Sequence, residues 1–595
     1  AANLNVSAAG SVVIADGASV SGLIDAIVAG SGDVAFNGSS TVAGIVGSSG
    51  RLASVTAGAA SSTTQFDATT FKAEAIGFST GTTLFTASAP TLSGDVTVSN
   101  GGTLQFSSAA GGNIAASGGA DTGALDLGGS SSTLKLAMTD VGTFAALTVA
   151  GTANMQNANI YIDTTGATSA ITSGTTITIV NSTGVLSNGD VVVASTAAAV
   201  TFTSTSDGNN VYLTTSRTGG GYAGAATGSS TSVVGGVATA LNGLVTSATA
   251  GSTMATLVAK LDTLSAQTLG ETLTQLSPTS VAATTGASMA TTTAAVNVVG
   301  TRTETVRLAS NGSGVASGEA MRGLGVWAQG FGVYGNQDKR NGYDGYDVAT
   351  GGLALGADTR FFKNMRTGVS FSYARSGIDA TDTTAGNTTD INSYIGSIYT
   401  TYEGKPWYLD GVVSFGMHDY DTTRKIAALT QTINGDHKGY QTTVKLGGGY
   451  PIQVKKAVVT PLASFTYSNL SEGSYTETGG SAALVVDSKS THSYRSGLGA
   501  KIATTFDVKG KAVTPEARAV WSHEFGDNQD TTAKFAGGGA YFTSKADTPA
   551  RESVNLGVGL NVDLKNNISL SATYDAELKD KYLGHTGTVQ VRAEF

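Results

Sequence analysis

The chain contains no cysteine, so neither a disulfide framework nor a thiolate metal site can form. That suits a protein that crosses an oxidising compartment before it folds. Charge is scarce as well: Asp, Glu, Lys and Arg make up 13% of the residues, where about 25% is usual. No run of about 18 apolar residues occurs, which excludes a transmembrane helix but leaves a β-barrel open. Ala1 is preceded by no methionine, charged n-region or apolar h-region, as expected of a mature chain after signal cleavage.

Histidine is missing from the first 417 residues, since all five lie at 418, 437, 492, 523 and 585. Ser-His-Asp and Cys-His nucleophiles and His-based zinc sites are thereby excluded from the N-terminal part. No two acids stand out there as a pair for carboxylate chemistry. The expectation is that the protein is not an enzyme and needs no cofactor or metal. "SGGADTG" (Ser117 to Gly123) falls short of a glycine-aspartate calcium repeat. The His of "MHDYD" (Met417 to Asp421) reads as a solvated loop residue. Up to residue 220, twelve acids face four bases, Arg51, Lys72, Lys135 and Arg217. An acidic segment of this kind argues against nucleic acid as a partner.

What is present is glycine, 80 residues of it, with much Ser, Thr and Ala, a mixture that favours repetitive β-structure. Residues 1–220 are short β-prone runs broken by turn formers, such as "GDVTVSNGGTLQF" and "TITIVNSTGVLSNGDVVVAS". No run buries a face unaided, so the expected fold is a β-solenoid, right-handed β-helix-like, whose coils stack on one another. Val180 to Thr215, its C-terminal part, is the natural nucleus for that stacking.

Residues 221–310 change character. After the linker "TGGGYAGAATGSS", Leu257, Leu261 and Leu264, then Leu269, Leu273 and Leu276, keep helical spacing. Ser277 and Pro278 suggest an N-cap and first residue of a further helix through Ala287 to Ser310. That helix is small-residued until Arg302, Glu304 and Arg307, a poor core helix that fits a narrow polar channel.

Residues 311–595 carry twelve alternating segments. In "SVNLGVGLNVDL", Val554, Leu556, Val558, Leu560 and Val562 share one face and polar or glycine residues the other. The connections alternate long ("GIDATDTTAGNTTD", "DTTRKIAALTQTINGD") with short ("FFKNM", "EGKP", "VKGK", "LKNN"). Short periplasmic turns and long outer loops mark a bacterial outer-membrane barrel with twelve antiparallel strands. Trp327, Trp407 and Trp521 read as interfacial girdle residues. The class is all-β.

This arrangement, with "SYTETGG", "TPEARAVW" and the terminal "YDAELKDKYLGHTGTVQVRAEF", resembles the monomeric, type Va autotransporters, and among them the rickettsial surface-cell-antigen and outer-membrane-protein-B barrels. The resemblance implies an N-terminal passenger on the cell surface and a helix plugging the barrel lumen, with Asn297, Arg302, Glu304 and Arg307 facing polar wall residues such as Asp563, Arg592 or Glu594. It implies that Val589, Val591, Ala593 and Phe595 form the signal read by the outer-membrane assembly machinery, reached with periplasmic chaperones. Family members that cleave themselves do so at an Asn-Asn pair in the helix. Here Asn297 is followed by Val298 and the Asn-Asn pairs stand at 209 and 566, so such cleavage is not expected. For the passenger the expectation is an adhesin or host-contact surface, with a self-associating coat or a porin-like channel as alternatives.

Overall fold

The structure is a computed structural model describing residues 3–594 apart from 130, 140–143, 145, 188–190, 279, 312–323, 363, 405 and 565–567. The chain divides into two compact units, residues 1–228 with 241–270, and residues 229–240 with 271–595.

In the first unit short strands stack in parallel, in-register ladders. One face runs through Ser19–Val20, Ser40–Val42, Thr63–Phe66, Thr82–Phe85, Thr103–Phe106, Thr133–Ala137, Asn159–Asp163 and Val192–Ser195. The period-two pattern buries every second residue, so Phe66, Phe85 and Phe106 stand above one another inside the coil. Their rings stack, at 5.2 Å between Phe66 and Phe85 and 5.7 Å between Phe85 and Phe106. Coils approach closely: a Cβ at Gly44 would lie 1.7 Å from the Gly22 carbonyl oxygen. The acids of this region join successive coils. Asp25 accepts the Ser49 hydroxyl at 2.8 Å, Asp95 the Thr122 and Ala124 amides at 2.9 Å, and Glu74 pairs with Arg51 at 2.8 Å.

The parallel stacking ends at the C-terminal edge. Asn210–Arg217 pairs antiparallel with both Thr176–Ser182 and Val200–Ser206, a hairpin laid on the last coil. Helices α1 (Gly221–Ala225), α2 (Thr231–Ser247), α3 (Thr253–Asp262) and α4 (Ala266–Leu276) follow. Two of these, α1 and most of α2, occupy sequence that reads as linker and featureless small residues. Tyr222, inside the expected linker, is fully buried. Its hydroxyl donates to Asp262 at 2.7 Å, and Asp262, also fully buried, takes Arg217 through both oxygens at 2.8 and 2.9 Å and the Ile171 amide at 2.9 Å. Ser277 does not cap the next helix: its hydroxyl donates back to the Leu273 carbonyl at 2.9 Å. Helix α5 spans Ser280–Asn311.

The second unit is a closed antiparallel barrel of twelve strands: β1 Gly325–Gln337, β2 Tyr346–Phe362, β3 Met365–Ala380, β4 Thr388–Glu403, β5 Tyr408–Ile426, β6 Gln431–Gly449, β7 Ala457–Glu472, β8 Lys489–Thr504, β9 Lys511–Glu524, β10 Glu552–Asp563, β11 Ile568–Lys579 and β12 Tyr582–Glu594. Closure comes from β1 pairing with β12 over Gly325↔Glu594 to Gln337↔Tyr582. Its polarity is inside out. Leu353, Phe371, Ile398, Phe415, Val558 and Val589 are exposed, while Gln329, Ser376, Ser393, Ser414, His418 and Gln441 are buried. Such a surface is stable only against lipid.

One expected long loop is different. "DTTRKIAALTQTINGD" is mostly strand, because β5 and β6 continue outward and turn only at 427–430. The connections 473–488 and 525–551 build a small sheet from Tyr475–Thr476, Leu484–Val486, Thr531–Phe535 and Phe542–Ser544.

Candidate functional site

The lumen is occupied by α5. Ala283 and Ala287 pack with Val348, Ile378, Ile391 and Tyr420; further along, Ala294, Val296 and Val298 pack with Trp327, Phe331 and Tyr399. Small side chains let a helix about 10 to 12 Å across fit a small barrel. Its hydroxyls meet the polar wall. Thr285 donates to Glu472 at 2.9 Å, Ser288 shares a hydrogen bond with the Tyr420 hydroxyl at 2.8 Å, Thr291 with Ser376 at 3.0 Å, and Thr292 donates to Gln441 at 3.0 Å.

These contacts orient the helix. Glu472 ends β7 at the loop 473–488 and Lys489, which donates to Thr285, begins β8 beyond it, so the N-terminal part of α5 sits at the long-loop mouth. Asn297 accepts from Lys445 at 2.7 Å, near the opposite end of β6, towards the short turns. Helix α5 therefore enters at the long loops and runs towards the short-turn end. Arg302, Glu304 and Arg307 continue its backbone, and their side chains lie outside the described residues. Arg592, one of the expected wall partners, is buried and faces the lumen.

Trp327 is not a girdle residue. The alternation along β1 turns it inward, where it is 2% exposed and donates to the Tyr399 hydroxyl at 2.8 Å. Tyr399 donates in turn to Asp358 at 2.7 Å, and Asp358 pairs with Arg366. Gly356 makes room for the indole, since a Cβ there would lie 2.3 Å from it. Trp407 and Trp521 are exposed as expected. His418 is not a solvated loop residue either: it is fully buried on the lumen wall, against Ser393 at 2.8 Å and Gln441 at 3.2 Å. The clue missed for both was parity, because each shares its face with buried polar neighbours.

On the last strand Val589 and Val591 are 61% and 48% exposed and Ala593 shares their face, while Gln590 and Arg592 turn inward. Phe595 lies outside the described residues. Among the described residues no cluster of three His, Asp or Glu side chains is arranged for a metal ion.

An inside-out barrel threaded by its own upstream helix narrows the choice, and the family model of the Autotransporter beta-domain matches residues 326–575. The chain carries an autotransporter beta-domain. Outer membrane protein B of Rickettsia prowazekii is 28% identical over 310 residues, covering 50% of this chain and 19% of that protein. Outer membrane protein A of Rickettsia conorii is 26% identical over 314 residues, covering 50% and 15%. An extracellular serine protease of Serratia marcescens is 25% identical over 287 residues, covering 47% and 27%. The chain thus spans about a fifth of the length of the rickettsial relatives it matches. Among solved structures, the translocator domain of NalP from Neisseria meningitidis aligns with 51% of this chain and 97% of its own at 17% identity and a TM-score of 0.40. The transport unit of AIDA-I from Escherichia coli covers 50% and 98% at 13% identity and a TM-score of 0.36. The beta-domain sets the address of the chain, which is the outer membrane.

Proposed function

We propose that the beta-domain displays the β-solenoid of residues 1–220 on the cell surface as a non-catalytic contact module, an adhesin for a host or neighbouring cell. The observation that carries this is the direction of α5, which makes the chain N-terminal to it emerge at the long-loop mouth, the outer side of an outer-membrane barrel. The absence of histidine before residue 418 supports a passenger without a His-dependent active site. Domains break at about 220 and 310, with the lumen helix, Asn297, Arg302, Glu304 and Arg307 included, closing the second segment.

Assembly follows the same reading. The edge of β12, with Val589, Val591, Ala593 and Phe595, is offered to the barrel assembly machinery by strand addition after delivery by periplasmic chaperones. A self-associating surface coat is the second reading, favoured by the sparse charge and by acids spent on coil-to-coil bonds. Protease shaving of intact cells, with antibodies to both units and masses of the products, tests display. Loss of the solenoid with survival of the barrel is expected; a solenoid protected until the outer membrane is opened refutes it. Binding of the shed solenoid to cells, as against ordered lateral assembly, separates adhesin from coat.

A further inference from the structure

The lipid-facing side of the barrel carries a girdle near its long-loop end, formed by Tyr334, Tyr373, Tyr394, Tyr440, Tyr494, Trp521 and Tyr574, all exposed. Such rings sit at the level where hydrocarbon gives way to headgroups. The next outward position holds a second ring. It contains Arg375 two residues past Tyr373, Lys438 two before Tyr440, His492 two before Tyr494, His523 two past Trp521, and His585 opposite Ala576 and beside Tyr574. Of the five histidines, two line the lumen side and the other three all stand in this ring. The outward aromatics of the short-turn end, Phe361, Phe362, Trp407, Tyr450 and Phe506, have no histidine beside them.

Each imidazole is held by its Nδ1. His492 meets the Tyr467 hydroxyl at 3.1 Å, His585 the Tyr574 hydroxyl at 2.6 Å, and His523 donates to Glu552 at 2.7 Å. Aromatic rings pack against them: Tyr467 and Tyr494 stack on His492 and Tyr574 on His585, while Phe525 meets His523 edge-on at 4.5 Å. The Nε2 of each has no partner among the described residues. A phenol donating to Nδ1 puts the ring proton on Nε2, and protonation makes every Nε2 a cationic donor.

We propose that this ring is a titratable collar for anionic, phosphate-bearing lipid headgroups of the outer leaflet, bound through the Nε2 donors of His492, His523 and His585 with Arg375 and Lys438 as fixed charges. The collar rests on the outer-membrane placement of the beta-domain. Charged neighbours tune it unevenly. Glu552 faces His523 across β10 and adds a negative charge beside it. Glu524, beside His492, is occupied by Ser493 and the Tyr494 amide. Across β1, Tyr334 faces His585 and reaches Asp347. Arg375 and Lys438 are shared with Asp390 and Asp419 at 3.2 and 3.5 Å, which leaves the histidines as the collar's variable part.

The test uses the full chain in phosphatidylcholine vesicles doped with spin-labelled phosphatidylglycerol or spin-labelled phosphatidylcholine, whose charges stay constant between pH 8 and 5.5. The motionally restricted fraction of each label gives relative affinity. At pH 5.5 the preference for phosphatidylglycerol should exceed that at pH 8 by about fivefold at each engaged histidine, the effect of one charge near an anionic surface. The H492Q/H523Q/H585Q variant should keep the preference of pH 8 and lose its rise. A wild-type preference that is flat with pH, or a rise that survives in the triple variant, overturns the collar. If the triple variant fails to assemble, the three single variants carry the test: each should remove part of the rise, and three silent variants overturn it. Absence of restricted lipid with either label would instead refute the membrane placement.

Discussion

Replacing Asp262 by Ala should open the C-terminal end of the solenoid unit. Asp262 is 0% exposed and satisfies four donors, two from Arg217 and one each from Tyr222 and Ile171. Arg217, whose side chain is 14% exposed and lies over the Tyr222 ring at 4.8 Å, would remain as a largely buried, uncompensated cation. Breaking one partner of such a pair costs about 3–5 kcal/mol. With a urea dependence of about 2–3 kcal/mol per molar, the midpoint should fall by about 1–2.5 M. The assay is proteolysis of the full chain in detergent micelles across a urea series, with the barrel as internal reference and fragment masses locating the first cuts. Because coils stabilise only their neighbours, those cuts should fall in the last coils, between Thr176 and Arg217. Asp262→Asn, which keeps one acceptor oxygen for the Ile171 amide and leaves its Nδ2 to donate to the Tyr222 hydroxyl oxygen, should recover part of the loss. A midpoint shift below about 0.5 M for Asp262→Ala would refute the clasp.

The remaining expectations are simpler to measure. Phe85→Ala removes the middle ring of the stacked Phe66–Phe85–Phe106 ladder and should cost about 3–5 kcal/mol, seen in the same urea series as early cuts in the central coils. Val558→Lys puts a charge on the lipid face, where Val558 is 58% exposed, and should destabilise the barrel by about 2–4 kcal/mol in vesicle refolding titrations. Deleting Phe595, or changing it to Ser, should leave the chain unassembled or degraded in the periplasm; wild-type amounts of heat-modifiable barrel would sink the assembly-signal reading. Acid should loosen the solenoid. Backbone and side-chain hydrogen bonds from Asn209, Tyr212 and Asn210 hold Asp207 below its ordinary value, and burial is outweighed at Asp163 by Thr165 and Lys135 and at Asp121 by Ser117. Lowered folded-state values mean that this stability is complete above the unfolded aspartate pKa of about 3.9 and drains away as pH falls below it. Protease resistance that is unchanged from pH 7 to pH 3 would contradict that account.

Much of the barrel was legible because lipid imposes a strict local rule. Val554, Leu556, Val558 and Leu560 must alternate with polar or small residues wherever a strand has one wet and one greasy side, and that pattern needs no knowledge of neighbours. The same rule, followed one residue at a time, puts Trp327 and His418 in the lumen, where their chemistry alone suggests a girdle and a loop. Helix α5 was visible as a run of small residues, but its upstream companions were not: α2 is dominated by Val, Gly, Thr and Ser, whose weak helical propensity outweighs its few Ala and Leu. By itself the sequence determined the all-β class, the twelve crossings and the absence of cysteine and early-histidine chemistry, since composition and period-two alternation are properties of short stretches. Only the tertiary structure decided which distant groups meet. Asp262 finds Arg217 across 45 residues and Glu472 finds Thr285 across 187, because stacking of coils and closure of the barrel bring them together, and no local pattern records that.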